Sequence, residues 1–423
     1  MSFFTSWNAL PKNVGSYLTS TVKMGQTGLL IFLACVLFTS AAKNQIINEW
    51  GLLTFNFPPN SNYYYTYRPE NTVFTGLEVT EDRIFLAMPR LRAGVPATLA
   101  YIRRNGVIGE PLNAYPNWDF HAIGQGINDT CAGLTSVYRM RTDSCNRLWV
   151  LDSGVMTSID DFQRICNPKL VIFDLSTDLP VRTIQFPRNV LRPASLFTNL
   201  VIDETIRGPC DSAYVYMTDT AAPGIVVLDS VNSNFWRFQH PSMYPDPDFS
   251  DYNVAGETFT LMDGVVGLTH SPQLQTLFFQ PLATNRIFSV PTSELIKGPP
   301  VEFQSLPISL AGKKSSQGLG LALNPEDDTL FFSPVAETSV ASWNAVTNDQ
   351  KFLAYDPVAL QFPAELRWVP SDHSLWLLST RFQKFFLRTV SGNEINLRII
   401  RIPIPRNRTL SSGFNFENSL YYK

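Results

Sequence analysis

Six short segments of the chain repeat one pattern: a turn or polar residue is followed, two positions later, by an apolar residue, an aromatic residue and more apolar residues. The copies occupy residues 82–86, 146–150, 211–215, 275–279, 328–332 and 373–377. A recurring unit at fairly even spacing, with room for several strands in each unit, is typical of radial β architectures, because no single unit can bury both of its faces alone. The repeat therefore predicts an all-β fold, a six-bladed β-propeller of four-stranded antiparallel blades. We interpret the repeated aromatic residues as blade packing and not as a cofactor cage.

Composition favours one large domain. The 423-residue chain is 44% hydrophobic and only 16% charged, a low charged fraction that suits a large and mostly buried sheet assembly. We expect a single propeller over residues 43–405 and a C-terminal tail over residues 406–423. The net charge of −3 leaves no basic field that would attract phosphate backbones, so nucleic acid is not an expected partner.

The last blade is incomplete when read along the chain. Only three strands follow Glu365, and the missing outermost strand is predicted at residues 52–57, near the N-terminus. Such a strand would close the ring and remove the exposed sheet edges of an open chain.

An apolar run at residues 28–42 follows Lys12 and Lys23 and ends in small residues, as the core and cleavage site of a signal peptide do. The run is short for a membrane span, although an uncleaved signal anchor is the alternative. We therefore predict a signal peptide with a long basic region over residues 1–42, and a secreted, extracellular protein without a membrane association after cleavage.

Secretion makes the cysteines interpretable. Cys35 lies in the predicted signal peptide, which leaves an even set of four and predicts two disulfides. The strand assignment places Cys131 and Cys166 on one face of the propeller and Cys145 and Cys210 on the other, so these two pairings are preferred among the three possible ones. Cysteine and histidine spacings do not match a zinc site, and no metal is expected. The sequons at Asn128 and Asn407 predict N-glycosylation if they are exposed.

The sequence of residues 128–154, NDTCAGLTSVYRMRTDSCNRLWVLDSG, resembles the Yellow and major royal jelly protein family. Further similar segments are VPATLAYI, NPKLVIFDL, WRFQHPSM, DGVVGLTHSP, QPLATNRIFSVPT and LWLLSTRFQKF, in family order over about residues 50–405. The resemblance implies a secreted insect protein with a six-bladed propeller. It also implies a range of roles: cuticle pigmentation, egg-shell or cuticle hardening, dopachrome conversion in melanin synthesis, and biogenic amine binding.

In amine-binding members of the family, the ligand lies at one mouth of the propeller and contacts the segment after the second strand of the last blade. The matching residues here include Thr380 and Phe382, which are the predicted ligand-binding residues. Many relatives carry Asn where this chain has Thr380, so a shorter hydroxyl replaces an amide. Phe382 keeps an aromatic wall that could face a ligand ammonium group.

Charged residues are predicted to gather at the same mouth. Asp152, Asp219, Asp263 and Arg381 all follow a second strand or precede a first strand. For Asp152 and Asp219, a turn-forming role is favoured over a ligand role. For Arg381, a structural contact with a carbonyl or carboxylate is favoured over a substrate contact. Asp263 and Arg381 are the candidate catalytic residues, because a carboxylate with a raised pKa could take the proton that migrates when dopachrome tautomerises.

Hydrolase, P-loop and dinucleotide-binding motifs are missing from the sequence, and no cofactor is expected. Our leading hypothesis is a Yellow-type protein of melanin and cuticle chemistry that binds a catechol- or indole-type molecule at the propeller mouth. Dopachrome isomerisation without metal is the enzymatic form of this hypothesis, and the sequence leaves open whether the ligand is turned over. The alternatives are a non-enzymatic amine binder and a structural component of cuticle or egg shell, with the extracellular matrix as partner.

Overall fold

The computed structural model describes residues 44–122, 131–301 and 305–405. The chain forms six four-stranded antiparallel sheets, which confirms the predicted all-β propeller. The strands of each blade are given from innermost to outermost. Blade 1 contains Gly76–Val79, Arg83–Ala87, Leu99–Arg103 and Asn113–Ala114, and blade 2 contains Val137–Thr142, Arg147–Asp152, Lys169–Asp174 and Leu179–Gln185. Blade 3 contains Phe197–Asp203, Tyr214–Asp219, Gly224–Asp229 and Asn234–Phe238. Blade 4 contains Val265–Ser271, Thr276–Pro281, Arg286–Pro291 and Ser309–Lys313, and blade 5 contains Leu321–Asn324, Thr329–Phe332, Ser339–Asn344 and Gln350–Tyr355. Blade 6 contains Pro363–Val369, Ser374–Ser379, Leu397–Pro403 and Gln45–Trp50.

A few short elements connect the blades. Two small hairpins pair Val155–Met156 with Gln163–Arg164 and Asp251–Val254 with Glu257–Thr260. The α-helical turns are Tyr63–Thr66, Thr292–Leu295 and Phe382–Leu387. The 3-10 turns are Pro69–Asn71, Trp118–His121, Arg188–Val190, Cys210–Ser212, Pro241–Met243, Pro247–Phe249 and Pro370–Asp372. No helix in the described ranges is long and apolar enough to cross a membrane.

The six innermost strands form a ring around a central axis. Each lies beside the innermost strands of the two neighbouring blades, and that of blade 1 lies beside those of blades 2 and 6. Because the strands are antiparallel, the start of each first strand and the end of each second strand share one face of the disc. We call this the upper face, and the face with the turns between first and second strands the lower face.

The N-terminal segment closes the ring, but not with the predicted residues. Gln45–Trp50 pairs antiparallel with Leu397–Pro403, so the predicted strand at residues 52–57 is wrong in position. The apolar residues there serve another purpose, since Leu53 and Phe55 are buried in the core and Phe55 bridges to Leu112 of blade 1. An outermost strand has one face in solvent, which is why the less apolar sequence QIINEW can fill that position.

The aromatic residues of the repeat pack between blades, as predicted. All six are buried: Phe85, Trp149, Tyr214, Phe278, Phe331 and Trp376. In blades 1 and 2 the arginine two positions earlier lies over the ring, with Arg83 5.1 Å from the centroid of Phe85 and Arg147 5.7 Å from that of Trp149. The arginine therefore covers the aromatic residue on its solvent side.

Both predicted disulfides are present. Cys131 pairs with Cys166 on the upper face, and Cys145 pairs with Cys210 on the lower face, where the bond links blades 2 and 3. Disulfides of this kind are typical of proteins that fold in an oxidising compartment. The predicted signal peptide, the C-terminal tail and the sequons at Asn128 and Asn407 lie outside the described residues.

Candidate functional site

Two insertions meet above the upper mouth of the propeller. The hairpin Asp251–Val254/Glu257–Thr260 joins blades 3 and 4, and the helical turn Phe382–Leu387 follows the second strand of blade 6. They contact each other through Phe259 and Phe386, whose ring centroids lie 5.1 Å apart, and through an ion pair of 3.8 Å between Glu257 and Lys384. The two insertions, which are distant in sequence, therefore pack together over the upper mouth, and we call them the roof.

The roof is built around an aromatic cluster of Tyr252, Phe259, Phe362, Phe382 and Phe386. Tyr252 stacks on Phe259 with a centroid distance of 4.9 Å, and Phe362 stacks on Phe382 at 5.0 Å. The cluster rests on Val266, Leu282 and Val335, at the upper ends of blades 4 and 5. Tyr252, Phe259 and Phe362 are buried in this cluster, and Phe382 and Phe386 are partly exposed.

Asp263 lies two residues before the first strand of blade 4 and is only partly exposed. Its carboxylate makes no hydrogen bond or ion pair with any residue that the structure describes. Burial raises the pKa of Asp263 to about 6. An unpaired carboxylate with such a pKa is unusual in a folded protein and is a common property of catalytic acids and bases.

Two tyrosines lie close enough to Asp263 to feel its charge. Burial, with a further contribution from Asp263, raises the pKa of both Tyr138 and Tyr252. The Tyr138 hydroxyl hydrogen-bonds to Ser158 Oγ at 2.8 Å, whereas the buried Tyr252 hydroxyl has no partner in the described part of the chain. Within the described part of the molecule, the site therefore combines one unpaired carboxylate with one unpaired phenol.

Asp152 organises its own loop. Its carboxylate accepts hydrogen bonds from the backbone N–H groups of Thr135 and Ser136, both at 2.8 Å, and of Gly154 at 3.1 Å. Lys169 Nζ lies 3.8 Å away and balances the charge. These contacts agree with the turn-forming interpretation.

Asp219 is used in the same way one blade further on. It accepts from the backbone N–H of Leu196 at 2.8 Å and of Ala222 at 3.2 Å, and it pairs with Arg237 Nη1 at 2.9 Å. Because every side of the carboxylate is occupied, a ligand role is not favoured.

Arg381 also has a structural partner. Its Nη1 donates to Glu394 Oε2 at 2.6 Å, and its backbone, with φ at 41°, begins the helical turn Phe382–Leu387. Thr380 is buried and donates its hydroxyl proton to the carbonyl of Phe362 at 3.2 Å. Phe382 contributes a partly exposed ring to the aromatic cluster. The ligand-binding roles of Thr380 and Phe382 and the catalytic role of Arg381 stay predictions.

Sequence reasoning missed two features of this face. The hairpin could have been found from the alternation of Tyr252 and Val254 before an Ala-Gly turn. Lys314 gives no such signal: it is buried, donates to Thr284 O at 3.4 Å and Gln280 Oε1 at 2.5 Å, and burial lowers its pKa to about 7.

The central axis below the mouth carries buried charge pairs. Glu365 of blade 6 pairs with Arg139 and, at 2.8 Å, with Arg141, both of blade 2. Glu78 pairs with Arg367 at 2.8 Å near the lower mouth, where a cavity of about 220 Å³ opens. No group of His, Cys, Asp and Glu within residues 44–122, 131–301 and 305–405 is arranged to hold a metal ion.

Comparison with known proteins agrees with this architecture. The family model described as "Major royal jelly protein" matches residues 135–409. The chain belongs to this family. It is 29% identical over 387 residues to the dopaminechrome tautomerase of Drosophila melanogaster, covering 86% of this chain and 82% of that protein. It is 30% identical over 396 residues to the Yellow protein of Drosophila pseudoobscura pseudoobscura, covering 89% of this chain and 69% of that protein. The predicted family resemblance is confirmed.

Proposed function

We propose that this chain is an extracellular Yellow-type protein of pigmentation chemistry that isomerises an aminochrome, the cyclised quinone of a catecholamine, at the upper mouth. The observation that carries the proposal is Asp263, an unpaired and partly exposed carboxylate whose pKa is raised to about 6. The similarity to a dopaminechrome tautomerase over 86% of the chain supports the choice of substrate class. The two disulfides support an extracellular location.

The proposed reaction needs only proton transfers. Converting an aminochrome to a dihydroxyindole moves protons from ring carbons to quinone oxygens, without net oxidation and without a leaving group. Asp263 would take the carbon-bound proton, since a base with a pKa near the working pH is well suited to accept a proton and to return it. The aromatic cluster would hold the flat ring, and Phe382 and Thr380 belong to the segment expected to contact it.

The test follows the loss of visible absorbance of freshly prepared dopaminechrome. Native protein should exceed both heat-denatured protein and buffer, and the rate should rise with pH through about 6 as Asp263 loses its proton. The variant Asp263→Asn keeps the shape of the side chain and should lose about a hundredfold or more in rate. Asp248→Asn, at an exposed carboxylate, is the matched control and should retain the rate. A native rate equal to the controls, or a fully active Asp263→Asn variant, would contradict the proposal.

Amine binding without turnover is the second candidate. It is favoured by the same pairing of an unpaired carboxylate with ring faces, which is what a ligand ammonium group requires. This function would be selected if native protein binds dopamine or serotonin saturably, if Asp263→Asn abolishes the binding, and if native protein does not accelerate dopaminechrome loss over heat-denatured protein and buffer. Matrix retention with neither property would select the structural role.

A further inference from the structure

A large cleft lies elsewhere on the upper face. It has a volume of about 690 Å³ and separates the N-terminal segment, the loop after the second strand of blade 1 and the segment after Phe382–Leu387. Four arginines line it: Arg68, Arg90, Arg92 and Arg388. None of them belongs to the site around Asp263.

The cleft carries positive charge in a chain whose net charge is −3. Glu70 is the one acidic residue among the lining residues, and Asp160 lies behind them, 3.5 Å from Arg92 Nε and 2.8 Å from Arg388 Nη2. Burial and then the charge of Arg388 lower the pKa of Arg92, so these two cations repel each other. The charge of Asp152 also acts on Arg90, but Lys169 lies 3.8 Å from that carboxylate and balances it. Four arginines against the carboxylates of Glu70 and Asp160 therefore leave an excess of positive charge at this place.

Arg90 supplies a fixed part of that charge. Its guanidinium group donates only to backbone carbonyl oxygens, those of Val95, Pro96, His121, Leu134 and Thr135. No carboxylate of the described residues contacts it. Burial lowers the pKa of Arg90 to about 10, which still leaves the group charged at neutral pH. A buried charge without a contacting counter-ion raises the potential of the space that it faces.

Arg68 and Arg388 provide the donors that a ligand could reach. The stem of Arg68 lies against Gly94, where a Cβ atom would come within 2.5 Å of Arg68 Cγ. Arg68 Nη1 donates to Tyr65 O at 3.1 Å and Tyr67 O at 2.8 Å, and its other guanidinium nitrogens have no partner in the part of the chain that the structure describes. The side chain of Arg388 is 61% exposed, and among the described residues it bonds only through Nη2, to Asp160.

We infer that this cleft binds a small organic oxyanion, a carboxylate, sulfate ester or phosphate ester with a compact apolar body. Guanidinium groups match such oxyanions in geometry and charge. Val95, Met156 and Val390 supply the apolar part of the wall. The volume lies in the usual range for small-molecule sites, roughly 300–1,000 Å³. The inference is independent of the proposed isomerase function, because it uses none of the residues of that site.

Calorimetric titration with four indoles tests the inference on the folded protein. Indole-2-carboxylate, indoxyl sulfate and indoxyl phosphate share the ring and differ in the oxyanion, and indole-2-carboxamide is the uncharged match. We expect one-to-one binding of at least one of the three anions, about tenfold or more weaker binding of the amide, and weakening by added salt. Comparing the three anions identifies the source of the oxyanion.

Variants locate the binding. The double variant Arg68→Gln/Arg388→Gln should lose about tenfold or more in anion affinity, as expected when a charge-assisted hydrogen bond is removed. Arg103→Gln, at an exposed arginine of blade 1, and Asp263→Asn should both keep the affinity. If the double variant does not fold, Arg388→Gln alone serves, since that side chain is largely exposed. Equal affinity for the amide, unchanged affinity in the arginine variants, or no binding of any of the three anions would overturn the inference.

Discussion

The upper ends of blades 2 and 3 differ from that of blade 4 in how their buried charges are balanced. In blade 2, Asp152 ends the second strand and lies beside Lys169. In blade 3, Asp219 ends the second strand and pairs with Arg237. Each carboxylate also accepts backbone hydrogen bonds, so charge and hydrogen-bonding capacity are used within the blade.

Blade 4 also buries a cation at this end, but no carboxylate of the described residues pairs with it. Lys314 donates to the amide oxygen of Gln280, and Asp263, which precedes the first strand of this blade, has no partner among the described residues. Tyr252 adds a buried hydroxyl that finds no acceptor in the described ranges. Unpartnered buried groups cost stability, and natural proteins retain them mainly where they have a task. Blades 2 and 3 therefore show how buried charges are paired at the upper end of a blade. Blade 4 lacks this pairing, which marks its upper end as a place with another task.

The largest expected effect is on the paired side of this comparison. Asp219→Ala leaves Arg237 buried without its carboxylate and leaves the backbone N–H groups of Leu196 and Ala222 without their acceptor. The free energy of unfolding should therefore fall by about 3–5 kcal/mol. Denaturant unfolding measures the change, and Asp248→Ala at an exposed position should stay within about 0.5 kcal/mol of the original protein. A small effect at Asp219 would mean that the pairing is not needed for folding.

Removing the charge of Lys314 should instead raise the free energy of unfolding. Its pKa in the folded protein is about 7, against 10.5 when unfolded, so between these pH values the unfolded chain binds a proton that the folded chain does not. Stability from this group therefore rises with pH across that window, and the cost of burying the charge is complete below about pH 7. Burying the charge costs roughly 5 kcal/mol below pH 7, and the hydrogen bonds to Gln280 and Thr284 offset part of it. Lys314→Met should therefore be more stable than the original protein below pH 7, by about 2–3 kcal/mol, and the gain should shrink as the pH approaches 10.5.

Unfolding of both proteins at the two ends of this pH window provides the measurement. An advantage of Lys314→Met that is the same at both ends would show that packing, and not the titration of the amine, decides the difference. A loss of stability at every pH would show that the hydrogen bonds to Gln280 and Thr284 outweigh the burial of the charge.

The comparison also explains what could be predicted from the sequence. The repeat identified six blades because its aromatic residue must pack between neighbouring sheets in every copy, as Phe85 and Trp149 do. The disulfides followed because alternate strand ends fix the face on which each cysteine lies. These features depend on local pattern and strand direction, which the chain carries in every blade.

Features that depend on distant partners escaped prediction. A structural partner was expected for Arg381, but the sequence did not identify it as Glu394. Nor did it show that Glu365 meets Arg139 and Arg141 across the central axis. The closing strand was predicted at the wrong residues because a buried phenylalanine such as Phe55 looks the same in sequence whether it belongs to a strand or packs beside one. Local pattern does not encode which charged or apolar residues meet in space.

The smallest effect on stability is expected at Tyr252, and it separates a structural role from a ligand role most sharply. Tyr252→Phe removes a hydroxyl that has no partner in the described residues, so the unfolding free energy should be unchanged or rise by up to about 1 kcal/mol. Tyr138→Phe is the matched control, because it breaks the hydrogen bond to Ser158 and should cost about 1 kcal/mol. A Tyr252→Phe variant that is at least as stable but converts dopaminechrome about tenfold more slowly would assign this hydroxyl to a quinone oxygen in the transition state. A variant less stable than Tyr138→Phe would instead show that the hydroxyl has a structural partner, and the contrast between blade 4 and its neighbours would then rest on Lys314 and Asp263 alone.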